Sequence, residues 1–126
     1  MNLLFTGASG FLGSNLYSLL KDKYQIRTVG LTSRDNYTIN LVSDVPKLNI
    51  KYDVVLHAAG KAHSIPKTGE EKQLFFDVNL QGTKNLCTAL ENSGIPKAFI
   101  FISTVAVYGC FGNRLIDTTF NIHSIL

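Results

Sequence analysis

Short apolar runs alternate with longer amphipathic stretches along the chain. Residues 2–6 (NLLFT) form a compact apolar run that ends at Gly7, which predicts a strand. Over 11–22 the apolar positions recur at helical spacing, with Leu12, Leu16, Leu19 and Leu20 on one face. Residues 25–31 (QIRTVGL) predict a second strand and 37–41 a short third; 43–48 has room for one helical turn before Pro46 interferes. Residues 53–57 (DVVLH) are β-branched and predict another buried strand. A long helix follows over 70–92, with Phe75, Asn79, Gly82, Leu86 and Leu90 along one face and Gly94 and Pro96 as its stop. Residues 98–103 (AFIFIS) are a continuous apolar strand. Strands without alternation are buried on both faces, as in parallel sheets covered by helices. The whole pattern predicts an α/β fold: an open, mostly parallel sheet of about five strands with flanking helices.

Composition mainly excludes. A chain of 126 residues, 45% hydrophobic and 17% charged, fits one domain with a real core and is not disordered. No apolar run approaches the roughly 20 residues of a membrane span. The start, MNLLFTGASG, has neither the basic region nor the long apolar stretch of a secretory signal. Cys87 and Cys110 lie far apart, with no metal spacing and no disulfide framework, which points to a reducing, cytoplasmic setting. His57 and His63 have no partners at ligand spacing, so no metal is expected. The net charge of +3 comes from scattered Lys and Arg, not from a nucleic-acid footprint.

The sharpest chemical signal is Thr6-Gly7-Ala8-Ser9-Gly10-Phe11-Leu12-Gly13, directly after a predicted strand and opening a predicted helix. Gly7 would turn the chain sharply off the strand. Gly10 would leave room where a pyrophosphate approaches the backbone, and Gly13 would let the helix pack closely. The free N–H groups of the helix start, with the helix dipole, then face the phosphates. This is the arrangement of a Rossmann-like dinucleotide site.

The G-x-x-G-x-x-G spacing resembles the extended branch of the short-chain dehydrogenase/reductase superfamily, the sugar-nucleotide epimerases and dehydratases. Three more segments carry the resemblance: His57-Ala58-Ala59-Gly60, Val78-Asn79-Leu80-Gln81-Gly82-Thr83-Lys84-Asn85-Leu86, and Ser103-Thr104-Val105-Ala106-Val107-Tyr108-Gly109. The resemblance implies an NAD(P)-binding Rossmann domain over 1–126. Gly7, Gly10, Phe11 and Leu12 would contact the pyrophosphate, and Ala58, Ala59 and Gly60 would border the adenosine ribose and the nicotinamide side. Asn79 would tie the long helix to the sheet. Thr104 falls on the catalytic Ser/Thr position, where its hydroxyl would bond the reacting sugar oxygen; Tyr108 would be positional. The Asp-Leu pair that flanks adenine in the family stands here as Asn40-Leu41.

Cofactor choice turns on the end of the second strand, Gly30-Leu31-Thr32-Ser33-Arg34-Asp35. A carboxylate there suits the ribose 2′-hydroxyl of NAD and an arginine the 2′-phosphate of NADP. No Asp or Glu sits immediately at the predicted strand end, so Arg34 leans the expectation to NADP; Asp35 would serve NAD if the loop folds back.

The family's chemistry also uses a Tyr-x-x-x-Lys pair beyond the Thr104 position. Asp117-Thr118-Thr119 resembles the approach to it, and residues 120–126 then depart. Tyr17 and Lys21 have the literal spacing but lie on the first helix, as a surface tyrosine and a snorkelling helix-end cation. The expectation is therefore a truncated cofactor-binding part of a nucleotide-sugar epimerase or dehydratase, inactive by itself and without its substrate domain. The alternative is a stand-alone NAD(P)-binding sensor or pseudo-enzyme. The apolar 98–103 strand, left as an edge, implies pairing with a second copy as a homodimer, with residues 110–126 covering the exposed surface.

Overall fold

The computed structural model describes residues 1–61 and 66–103. The expectations for His63, Thr104, Tyr108, Cys110 and the 110–126 tail concern positions outside these residues.

Five strands form one sheet: β1 (Asn2–Thr6), β2 (Gln25–Gly30), β3 (Tyr37–Thr38), β4 (Val54–His57) and β5 (Ala98–Phe101). All pairings are parallel, in the order β3-β2-β1-β4-β5. The chain thus steps outward from β1 in one direction, returns, and steps outward in the other. The reversal lies between β1 and β4, and a crevice at the carboxyl ends of such strands is where ligands bind in open α/β sheets.

Each face of the sheet has its own core. On one, Leu4, Val29, Tyr52 and Val55 pack against Leu86 and Leu90 of helix α3 (Gly82–Ser93). On the other, Leu3, Phe5 and Leu56 pack against Leu16, Tyr17 and Leu20 of helix α1 (Phe11–Leu20). The buried stripe of α1 therefore differs from the expected one. Leu12 and Leu19 are exposed, whereas Tyr17 turns inward with its ring centroid 6.5 Å from that of Phe5. Leu16, Tyr17 and Leu20 share the face that packs on the sheet, so Tyr17 is a packing residue and not a surface one.

One further expectation changes and two are refined. The turn expected at 43–48 closes upstream: the Asn40 carbonyl accepts from Ser43 N–H and Asp44 N–H, and its carboxamide oxygen accepts from Val42 N–H at 3.0 Å. That local Asx turn satisfies the backbone before Pro46 is reached. The helix expected over 70–92 is present as one continuous helical run, Gly69 to Ser93, with a π-helical segment inside it. Its α-helical parts, α2 (Gly69–Phe76) and α3, are joined by this π-turn over Asp77–Gln81. Finally, β5 is exposed along its length, with Ile100 48% and Phe101 51% accessible. Among the described residues it is the last strand in the order, as the expectation of an edge at 98–103 requires.

Candidate functional site

The turn off β1 is built by two very close approaches. Gly7 has φ +77°, and a Cβ there would lie 2.5 Å from Ala59 N. A Cβ on Gly13 would lie 1.9 Å from the Gly7 carbonyl oxygen. Glycine at these positions lets the start of α1, the turn and the loop after β4 touch one another. Gly10 differs. Its φ is an ordinary −73°, and a Cβ there would meet only the Gly7 carbonyl oxygen, at 3.4 Å. Among the described residues no neighbouring atom demands a glycine at this position, which leaves room in front of it for a ligand.

Helix α1 starts at that space. No side chain caps it and its first turn holds no acidic residue. The leading N–H groups of a helix lack intrahelical partners, and with the dipole they form an anion site. Phe11 and Leu12, both exposed, stand at the opening. Gly7, Gly10, Phe11, Leu12 and Gly13 are thus together at the sheet's reversal point, with Ala58 and Ala59 against them.

The loop after β4 is held by a chain of hydrogen bonds not anticipated from the sequence. Thr83 Oγ1 donates its proton to the Asn79 carbonyl at 2.7 Å. It can then only accept at its 2.9 Å contact with His57 Nε2, so Nε2 carries the ring proton. Burial pushes the His57 pKa down to about 4, leaving the ring neutral and Nδ1 bare. Nδ1 accepts from the Thr6 hydroxyl at 2.5 Å, and Thr6 Oγ1 accepts from Ala59 N–H at 3.2 Å. Asn79 closes the other end of the loop: its Oδ1 accepts from Lys61 N–H at 2.7 Å and its Nδ2 donates to Lys61 C=O at 3.1 Å. The expected tie from Asn79 to the sheet is thus made to this loop, and Gly60 lies beneath it, within 3.1 Å of Asn79 Oδ1 for a built Cβ.

At the end of β2 the loop does fold back. Asp35 Oδ2 accepts from Thr32 N–H at 3.1 Å and from the Thr32 hydroxyl at 2.7 Å. A Cβ on Gly30 would lie 2.5 Å from that oxygen, so the Asp35 carboxylate occupies the side-chain space at the strand's last residue. Arg34 is exposed and makes no hydrogen bond or ion pair among the described residues. The Asn40 carboxamide is engaged within its own turn, and the Leu41 carbonyl accepts from Asn85 Nδ2 at 2.7 Å, which fixes that turn on α3. Among the described residues no group of His, Cys, Asp or Glu could hold a metal ion, and no helix is long and apolar enough to cross a membrane.

Comparison with known proteins agrees with this geometry. UDP-glucose 4-epimerase of Vibrio cholerae is 34% identical over 120 residues, which is 86% of this chain and 36% of that protein. The structure of UDP-N-acetylglucosamine 4-epimerase from Methanobrevibacter ruminantium, in complex with UDP-N-acetylmuramic acid, superposes with a TM-score of 0.77 at 27% identity. That match covers 95% of this chain and 43% of the other. A UDP-glucuronic acid 4-epimerase variant from Bacillus cereus, in complex with a fluorinated sugar nucleotide and NAD, gives 0.73 at 26% identity, covering 94% and 45%. The chain therefore spans about a third of the length of the curated relatives it matches. Residues 3–121 match the family as a whole, taking in the glycine turn, the β4 loop and the π-turn alike. On this span the chain belongs to the NAD dependent epimerase/dehydratase family.

Proposed function

We propose that this chain is the dinucleotide-binding part of an enzyme that epimerises or dehydrates a nucleotide-linked sugar. The observation that carries the reading is the uncapped start of α1 facing open space at Gly10, at the reversal point of the sheet. Gly7, Gly10, Phe11 and Leu12 would hold the pyrophosphate, Asn40 and Leu41 would flank the adenine, and Ala58, Ala59 and Gly60 would border the adenosine ribose and the nicotinamide. A nicotinamide bound there would take a hydride from a sugar carbon. Thr104 has the role of bonding the reacting sugar oxygen, a role supported by its motif alone.

The cofactor is NAD. The lean to NADP rested on Arg34 and on a strand end without a carboxylate, but the returned loop puts Asp35 there. A carboxylate accepts from the ribose diol and repels a 2′-phosphate. Calorimetric titration is expected to give tighter binding of NAD than of NADP. Asp35→Asn should weaken NAD by about 1.5–3 kcal/mol, the worth of a hydrogen bond to a charged group, and Arg34→Ala should leave NAD unchanged. Tighter NADP binding by the wild type, lost in Arg34→Ala, would restore the other assignment.

The exposed β5 edge supports self-association through a second copy. Residues 98–102 carry no proline, and the Phe99, Ile100, Phe101 and Ile102 side chains are all open to solvent. Light scattering should show a concentration-dependent dimer, and Ile100→Lys should shift it to monomer. A monomer at every concentration would end this proposal.

A further inference from the structure

We propose that His57 is a positioning residue for the dinucleotide: its imidazole, fixed in one tautomer, locks the Ala59–Lys61 loop in the shape that receives the nicotinamide side of the cofactor. The inference rests on the dinucleotide reading of the site and adds to it a residue that makes no direct contact with the ligand.

The argument is one of connectivity. The loop has two anchors, Ala59 N–H on Thr6 and the Lys61 backbone on the Asn79 side chain. Both lead to the same ring. Thr6 is bonded to Nδ1, while Thr83, bonded to Nε2, sends its own proton to the Asn79 carbonyl. Every donor meets an acceptor only if the proton is on Nε2; the other tautomer would set Nδ1–H and Thr6 O–H in a different order and leave Thr83 Oγ1 facing a bare nitrogen. The imidazole is 2% accessible, and the Phe99 and Phe101 rings pack on it with centroids at 5.9 and 5.5 Å. Water is thereby kept from substituting for either threonine, and a polar chain of this kind is rigid only while complete. The ring thus ties β1, β4, β5 and the π-turn to one loop geometry.

The test uses the full chain with Thr83→Val, which keeps the side-chain shape and removes the hydroxyl, and Thr83→Ser, which restores it. Imidazole nitrogen NMR should report the Nε2–H tautomer in the wild type and in Thr83→Ser, and a tautomer mixture in Thr83→Val. Amide exchange at Ala59 and Lys61 should quicken at least about tenfold in Thr83→Val, as expected for the loss of roughly one hydrogen bond. NAD affinity, measured well below the melting midpoint of each protein, should fall by about tenfold in Thr83→Val and stay within about twofold in Thr83→Ser. If Thr83→Val does not fold, His57→Gln carries the same test: it keeps a donor towards Thr83, gives up the acceptor for Thr6, and should weaken NAD similarly. A wild-type Nδ1–H tautomer, equal NAD affinity in Thr83→Val, or equal loss in both threonine variants overturns the proposal. A wild type that binds no dinucleotide overturns the reading of the site itself, and with it the object His57 would position.

Discussion

Gly10→Val is expected to abolish dinucleotide binding in a chain that still folds, whereas Gly13→Ala is expected to fail to fold or to melt far lower. The two glycines lie in one motif but answer to different neighbours. At Gly10 the backbone conformation suits any residue, and a new Cβ finds ordinary contact at 3.4 Å. The branched side chain would instead fill the space where a pyrophosphate meets the bare N–H groups of α1. At Gly13 a Cβ would lie 1.9 Å from the Gly7 carbonyl oxygen and 2.8 Å from its carbon. Both are backbone atoms, so α1 must move bodily, which puts the loss at or above the upper end of the about 1–3 kcal/mol typical of overpacking. Thermal melts with and without saturating NAD separate the cases: a ligand-induced rise in wild type, none in Gly10→Val from a near-native baseline, and a collapsed baseline in Gly13→Ala. An equal rise for wild type and Gly10→Val would remove the pyrophosphate from this turn.

Stability should fall steeply as pH drops from 6.5 towards 4, and His57 should account for about 3 kcal/mol of it. Burial holds the folded-state pKa at about 4 against an ordinary value of 6.5. Above 6.5 the ring is neutral in both states and costs nothing. Between the two values the unfolded chain takes up a proton that the folded chain refuses, so unfolding is favoured progressively; below about 4 both are protonated and the loss is complete. Each unit of separation is worth about 1.4 kcal/mol. Asp53, whose carboxyl is held low by the Asn2 N–H and then by Lys97, adds a loss of the same sign that sets in only at the acid end of this range. Urea midpoints measured from pH 7 to 4.5 should therefore show a steep decline in wild type and a shallower one in His57→Gln. Parallel curves would place the proton uptake elsewhere.

The strands were legible because parallel, doubly covered strands leave compact apolar runs; β1 and β4 follow their patterns to within a residue. The glycine turn was legible because its spacing has few other physical uses. What escaped was decided by side chains meeting across the chain. Tyr17 reads as a surface residue until Phe5 is opposite it. His57 reads as an ordinary strand-end histidine, because its partners Thr6 and Thr83 are 51 and 26 positions away. Asp35 is five residues beyond the last residue of β2 in the chain, yet its carboxylate is at Gly30 in space. Start signals for α2 were present locally but one step removed from the hydrophobic pattern: Thr68 Oγ1 accepts from Glu71 N–H while Glu71 reaches back to Lys67 N–H.

The π-turn between α2 and α3 acts as a phase slip. An α-helix advances about 100° per residue, so one surplus residue rotates everything upstream by that angle against everything downstream. Helix α3 keeps Gly82, Leu86, Ala89 and Leu90 buried, while no residue of α2 is buried. Removal of a single residue between 77 and 81 would leave an unbroken α-helix. Asn79 would swing away from the β4 loop by roughly a quarter turn. Deleting one residue of this segment is therefore expected to release the loop after β4 while both α-helical parts remain.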